Sequence, residues 1–214
     1  MIFNLPSTIG FSYIACMEAK EENLFAEELN LLSLSASNKR KQEFIAGRCA
    51  AHNAQQQIEN NITPILKGEH GEPLWDSNLI GSITHSKDYA FAIVSNKKYF
   101  YSIGLDLEEM PTQNKWHLVD HICNDSEKQW ASNCHNPSNR LIQLFSAKES
   151  IYKAFFPICH YSLSFHDCIL HWNELKKCFY TEWTISLPNY YYNKETIVHL
   201  HSWKNFFITY CILT

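Results

Sequence analysis

The stretch LIGSITHSKDYAFAIVSNKKYFYSIGLDL, residues 79–107, decides the fold class. It holds three runs of strand-forming residues separated by two short polar breaks. Leu79 to His85 and Tyr89 to Val94 flank Ser86-Lys87-Asp88, and Asn96-Lys97-Lys98 leads into a third run from Tyr99 to Leu107. β-branched and aromatic side chains favour extended backbone, so the pattern predicts consecutive strands joined by turns. Pro111 ends the third. Upstream the period changes. Phe44, Ile45, Cys49 and Ala50 form the apolar stripe of a helix predicted from Asn38 to about Ile58, and Ala46, Gly47, Ala50 and Ala51 allow close packing against it. Pro64 to Pro73, with Gly68 and Gly71, reads as turns.

Downstream, Leu141, Leu144, Phe145, Ile151, Tyr152 and Phe155 repeat at helical spacing, with Ser138 or Asn139 as the predicted cap and Pro157 as the predicted stop. Four further strands are predicted at Cys168 to Trp172, Phe179 to Leu187, Thr196 to Leu200 and Phe206 to Leu213. Each half thus carries a helix and strands, an α+β arrangement. No sequence repeat joins the halves, and the Tyr190-Tyr191-Tyr192 run is too short to be low complexity.

Composition narrows the function. The 214 residues are 45% hydrophobic and 14% aromatic, enough for one large core or two small ones. A net charge of −4 gives no global basic field, which argues against a nucleic-acid partner. Met1-Ile2-Phe3-Asn4-Leu5-Pro6 lacks the charged start and apolar run of a signal peptide, and no apolar stretch is long enough to span a bilayer. The expectation is a soluble, cytoplasmic protein. Its eight cysteines form no CxxC pair and are expected to be reduced. His117, His121, Cys123, Cys134 and His135 fit the spacing of no common zinc finger or ribbon.

Three segments and a basic helix could carry chemistry. In Ile103-Gly104-Leu105-Asp106-Leu107-Glu108, strand alternation puts Asp106 and Glu108 on one face, about 7 Å apart, where they can converge on a hard cation or simply meet solvent. In the segment Phe145 to Lys153, Glu149 and Lys153 share a helix face, as an ion pair or as site residues. Lys148 sits where the apolar stripe would want a leucine, which suits a buried anion. In Gly81-Ser82-Ile83-Thr84-His85-Ser86, a Ser–His hydrolase with Asp106 as orienting acid competes with phosphate binding by Thr84 and His85. The strained Gly-x-Ser-x-Gly turn that such hydrolases use is absent. On the basic helix, Arg40 and Arg48 lie on nearly one face, where two guanidiniums can grip one phosphate.

Taken together and in order, RKQEFIAGRCAA (40–51), PILKGEHGEPLW (64–75), GSITHS (81–86), IGLDLE (103–108) and FSAKESIYKAFFP (145–157) resemble the phosphopantetheinyl transferases of the surfactin and enterobactin synthetase type. The resemblance covers residues 40 to about 170. It departs at Asp76, where many members have proline, and at Glu72, where the surfactin type has a basic residue. The resemblance implies two similar α/β halves related by a pseudo-twofold axis, residues 1–104 and 105–214, with the active site in the cleft between them. The first half would bind the phosphates of coenzyme A; the second would supply the magnesium ligands and catalytic residues. Residue by residue, it implies Mg²⁺ on Asp106, Glu108 and Glu149. Arg40 and Arg48 would hold the 3′-phosphate, helped by Lys67, with Thr84, His85, Lys148 and Lys153 on the coenzyme's phosphates. Glu149 and Lys153 would be catalytic.

The implied reaction moves 4′-phosphopantetheine from coenzyme A to a serine of an apo acyl, peptidyl or aryl carrier protein, releasing 3′,5′-ADP, for siderophore or other nonribosomal peptide synthesis. A monomer would suffice. Two rivals stay open on the residues alone: a metal-dependent phosphodiesterase using the same acids, and a non-catalytic coenzyme A-binding module.

Overall fold

Small side chains decide how the first unit packs. In the computed structural model, which describes residues 5–33, 35–59, 61–160, 163–187 and 195–214, helix α2 spans Asn38–Gln56. Ser37 caps it, accepting from the Arg40 amide at 3.2 Å and satisfying one of the helix's orphan donors. Its two ends differ. From Ile45 onward Ala46, Gly47, Ala50, Ala51 and Ala54 are buried, because α2 lies on an antiparallel sheet in the order β1-β5-β4. Those strands are β1 (Ile9–Ala15), β4 (Leu79–His85) and β5 (Tyr89–Asn96). Gly10 shows how close the layers come: a Cβ there would stand 2.1 Å from the Ala54 carbonyl oxygen. The core has two clusters along α2: Ala50, Ala51, Ala54, Ile65, Leu79, Ala92 and Val94 in one, and Cys16, Ala19, Leu24, Ile45, Ala46, Cys49 and Ala90 in the other.

The sequence predicts the α2 start, the Leu79–His85 strand and its partner well. It makes no assignment over residues 9–15, where the structure has β1. The Glu- and Leu-rich segment that follows folds as two single-turn 3₁₀ helices and the four-residue helix α1 (Ala26–Leu29). A small hairpin, β2 (Leu66–Lys67) with β3 (Pro73–Leu74), fills the predicted turn region, and Gly71 turns it with a φ of +92°. Both residues that depart from the family pattern have local work here. Glu72 accepts from the His70 amide at 3.0 Å across the hairpin turn, and Asp76 accepts from the Asn78 amide at 3.1 Å just before β4.

Strand β6 (Ser102–Glu109) starts three residues later than predicted. The chain forms two compact units, Met1–Leu105 with Leu213–Thr214, and Asp106–Ile212. In the second, short helices α3 (Val119–Ile122) and α4 (Asp125–Ser132) precede the 23-residue helix α5 (Pro137–Cys159). Asn136, not Ser138 or Asn139, caps α5, with Pro137 in its first turn; Pro157 lies inside the last turn, and the helix stops at His160 in the left-handed region. The strands are β7 (Cys168–Asn173), β8 (Cys178–Trp183), β9 (Ile197–Trp203) and β10 (Phe206–Leu213). They form a sheet in the order β6-β10-β9-β8-β7. Ser146 on α5 shares a 2.9 Å hydroxyl contact with Thr209 on β10, tying helix to sheet. The Tyr190–Tyr192 run and Met1 to Asn4 lie outside the described residues.

Each unit contains the same buried device. Glu28, at the third position of α1, is fully buried; its Oε2 accepts from the Phe25 amide (3.1 Å) and its Oε1 from the Ile65 amide (2.8 Å) and His52 Nε2 (2.9 Å) on α2. Glu127, at the third position of α4, is 1% exposed. It accepts from the Asn124 amide (2.7 Å), the Leu170 amide (2.8 Å) and Lys148 Nζ (2.8 Å) on α5. In both, one carboxylate staples a short helix, a strand or loop, and a basic group on the long helix. Burial pushes the Glu28 pKa up, but the hydrogen bonds from His52, Ile65 and Phe25 outweigh it and hold the carboxyl below its ordinary value.

All eight cysteines are free, and burial raises the thiols of Cys123, Cys168 and Cys211 to about 12, so they stay protonated and inert. Among the described residues no helix is long and apolar enough to cross a membrane.

Breaking a buried ion pair by removing one partner strands the other charge in a dry site, which costs about 3–5 kcal/mol. Lys148→Met should therefore lower unfolding free energy in urea by about that amount, and Lys148→Met with Glu127→Leu should cost less than the sum of the two single changes. A Lys148→Met cost below about 1 kcal/mol would show the pair to be incidental.

Candidate active site

The exposed N-terminal part of α2, the end of β4 and the β2–β3 hairpin line a cavity of about 250 Å³ in the first unit. Its charged lining is Arg40, Lys41, Glu43, Arg48, Lys67 and His85. Arg48 is 6% exposed; its Nη2 donates to the Leu66 carbonyl at 3.2 Å, and its guanidinium lies 4.6 Å over the Phe44 ring. Arg40, by contrast, extends toward solvent, with Nη1 3.3 Å from His85 Nε2. Glu43 sits among the cations, 3.6 Å from Lys39, 3.7 Å from Arg40 and 3.8 Å from His85 Nδ1. The helical spacing of four thus brings Arg40 and Arg48 to one cavity, with His85 and Lys67. Arg40, Lys41, Arg48 and Lys67 against the one carboxylate of Glu43 leave positive charge in excess, which suits an anion.

Strand alternation separates the other β4 residues. Ile83 and His85 line the cavity, whereas Ser82 and Thr84 are buried on the opposite face, 3% and 4% exposed. Of the two residues the sequence pairs, His85 lines this cavity and Thr84 does not. Ser82 accepts from the Leu105 amide at 3.0 Å. A Ser82–His85 nucleophile pair is excluded on the same ground, since the two side chains leave opposite faces of one strand.

Three carboxylates gather in the second unit. Asp106 on β6 is 3% exposed and accepts from Lys153 Nζ on α5 at 2.6 Å. Burial pushes the Glu108 pKa up to about 7; the negative charge of Asp106 adds to this, Lys153 opposes it and Glu149 adds again. Glu149 on α5 is raised by burial and by Asp106, against Lys153. The three acids of the sequence reading therefore feel one another, with a single ammonium among them. Among the described residues, though, no three acidic, His or Cys side chains are already disposed around one metal position. Lys153 stands against Asp106 where a cation would. The donor chemistry, three half-buried or buried carboxylates short of positive charge, fits a hard divalent ion such as Mg²⁺.

Lys148 is buried on α5 among protein acceptors. Its ammonium donates to Glu127 (2.8 Å) and to the carbonyls of Phe165 (2.6 Å), Ile122 (2.9 Å) and Cys168 (3.2 Å). An ammonium has three protons, so four protein acceptors saturate it. In this structure the buried anion that it meets is Glu127. A second cavity, about 220 Å³, lies beside Glu149 and is lined chiefly by Ile151, Tyr152, Phe165 and Trp183.

The residues that sequence reading missed are Glu28, Glu43 and Glu127. Glu127 had a usable signal, because Asn124 followed three residues later by glutamate is a capping-box pattern.

With this geometry in hand, similarity to known proteins becomes informative. Residues 27–95 match the 4′-phosphopantetheinyl transferase N-terminal domain, and residues 102–211 match the 4′-phosphopantetheinyl transferase superfamily, about half the chain. The chain belongs to the 4′-phosphopantetheinyl transferase superfamily. It is similar to the 4′-phosphopantetheinyl transferase Npt of Nocardia iowensis, 32% identical over 69% of this chain and 62% of that protein. It resembles 4′-phosphopantetheinyl transferase PptT of Mycobacterium tuberculosis at 35% identity, over 66% of this chain and 62% of that one. With enterobactin synthase component D of Escherichia coli K12 it shares 36% identity over 56% of each. The matched region thus spans less than two thirds of these relatives' lengths.

Ionising Glu108 against its neighbours costs stability. With a folded pKa near 7, above the ordinary 4.5, that cost is complete above pH 7 and absent below about pH 4.5, where both states are protonated. Glu108→Gln should therefore raise the thermal midpoint of the metal-free protein by several degrees at pH 8 and leave it unchanged at pH 4. An equal effect at both pH values would contradict the raised pKa of Glu108.

Proposed function

We propose that this protein transfers the 4′-phosphopantetheine group of coenzyme A to a serine of an apo acyl, peptidyl or aryl carrier protein and releases 3′,5′-ADP. The observation that carries the reading is the acid cluster: Asp106, Glu108 and Glu149 within one another's fields, with Lys153 beside them. Membership of the superfamily supports it, and so does the cationic cavity of Arg40, Arg48, Lys67 and His85 in the first unit.

Residues 1–104 hold the coenzyme's phosphates in this reading, and residues 105–214 carry the metal and the chemistry. Arg40 and Arg48 meet the 3′-phosphate, with Lys67 and His85 adding positive charge. The slender pantetheine chain suits the aromatic-lined cavity beside Glu149. Asp106, Glu108 and Glu149 would hold Mg²⁺, which would supply positive charge to the pyrophosphate oxygens. Glu149 takes the proton from the carrier serine, a role for which a raised pKa fits it. The serine oxygen then bonds to the pantetheine-side phosphorus, and the bond from that phosphorus to the bridging oxygen breaks. Lys153, released from Asp106, stabilises the negative charge that builds on the departing 3′,5′-ADP. The twin glutamate staples support two halves of common design. The protein works as a monomer in the cytoplasm. The enterobactin synthase relatives favour carriers of siderophore or other nonribosomal peptide synthesis.

Incubation with coenzyme A, Mg²⁺ and an apo carrier protein tests this, read by mass spectrometry of the carrier. One added phosphopantetheine is expected, and Asp106→Ala should lower the rate by about 10²-fold or more while remaining folded by circular dichroism. Cleavage of the coenzyme without carrier labelling would make the protein a phosphodiesterase, and binding without turnover a coenzyme-binding module.

A further inference from the structure

Arg48 is the most deeply buried cation lining the first cavity, and it does not hold itself in place. Its Nε is buried without a hydrogen-bond partner and lies 4.0 Å from Glu28 Oε1, at ion-pair distance. Only one described hydrogen bond fixes the guanidinium, from Nη2 to the Leu66 carbonyl, next to Lys67. Glu28 itself is immovable. Three donors from three separate segments, Phe25, His52 and Ile65, grip its two oxygens.

The twin device in the second unit shows what such a carboxylate does by default. There Glu127 and three carbonyls use up every proton of Lys148, and nothing is left over for a ligand. In the first unit the donors are divided differently. His52 makes the close contact to Glu28, so Arg48 is held at one edge only and keeps other N–H groups for what enters the cavity it lines. A second carboxylate, Glu43, lines that same cavity and already draws Lys39, Arg40 and His85. An Arg48 released from Glu28 would be pulled toward Glu43 or into water, and the cavity would lose its fixed fork.

We propose that Glu28 is the positioning residue of the phosphate site: from outside the cavity it fixes the Arg48 guanidinium in the orientation that receives the coenzyme's 3′-phosphate. This rests on the reading of Arg48 given above. Burial drags the Arg48 pKa down to about 10 and Glu28 opposes that fall, so the same carboxylate keeps the buried guanidinium firmly charged.

The test compares coenzyme A with 3′-dephospho-coenzyme A as co-substrates, because they differ only in the group Arg48 is to meet. The readout is the ratio of their kcat/KM values in carrier labelling. Arg48→Gln should lower the preference for coenzyme A by about 10–100-fold, the loss of one charge-assisted contact. Glu28→Gln should lower it by about ten-fold or more. The change should come through KM for coenzyme A, with kcat and the KM for the dephospho form within about three-fold of the wild type. In the Arg48→Gln background, Glu28→Gln should cost little further preference. Glu127→Gln is the control for a merely structural effect: it should lower stability and leave the ratio unchanged. If Glu28→Gln does not fold, Glu28→Asp carries the test. It keeps the charge but draws it back by one methylene, and must still lower the ratio by about three-fold.

A ratio that Arg48→Gln lowers and the folded Glu28 variant leaves intact overturns the positioning role alone. A ratio untouched by Arg48→Gln overturns the phosphate assignment and the proposal with it.

Discussion

Two carboxylates sealed from water, Glu28 and Glu127, are the constraint on which both units depend. A buried carboxylate is tolerable only when every lone pair it exposes has a donor, so each one dictates where its donors must be. Glu28 demands an amide from its own helix start, an amide from Ile65 and an imidazole from α2. Glu127 demands the same set from α4, β7 and α5. Hydrophobic packing alone would let the long helices slide by a fraction of a turn. These networks do not, and the functional side chains ride on the helices they pin: Arg40 and Arg48 on α2, Glu149 and Lys153 on α5.

The two candidate sites show the opposite use of charge. The first cavity gathers cations around a single acid, Glu43, and is built to be completed by an anion. The second gathers three acids beside the Lys153 ammonium, and burial first, then the neighbouring carboxylates, raises the pKa values of Glu108 and Glu149. The first cavity therefore suits an anion and the acid cluster suits a cation, each within its own unit.

How much of this the sequence reveals depends on the range of each interaction. Helix α2 and the hairpin of β4 with β5 were legible because their signals are local: a serine cap, small residues at helical spacing, and polar turns between β-branched runs. Strand β1 was not, because Ile9–Ala15 is extended through its pairing with β5, in which Ile9 meets Ser95, 86 residues away in sequence. Lys148 is the instructive case. That a lysine occupied an apolar position was visible, but its partner lies 21 residues upstream on a different helix. Chemistry pointed to an anion, and only the fold could say which. Thr84 and His85 show another effect: adjacent residues in a strand face apart, so His85 lines the first cavity and Thr84 is buried on the other face.

The most direct test of the account is a crystal structure of the protein with coenzyme A and Mn²⁺, whose anomalous signal locates the metal. The account predicts the 3′-phosphate within hydrogen-bonding distance of Arg48 and His85. It places the metal on oxygens of Asp106, Glu108 and Glu149, with Lys153 moved from Asp106 to the pyrophosphate. A metal found elsewhere, or a 3′-phosphate that leaves Arg48 uncontacted, would contradict it.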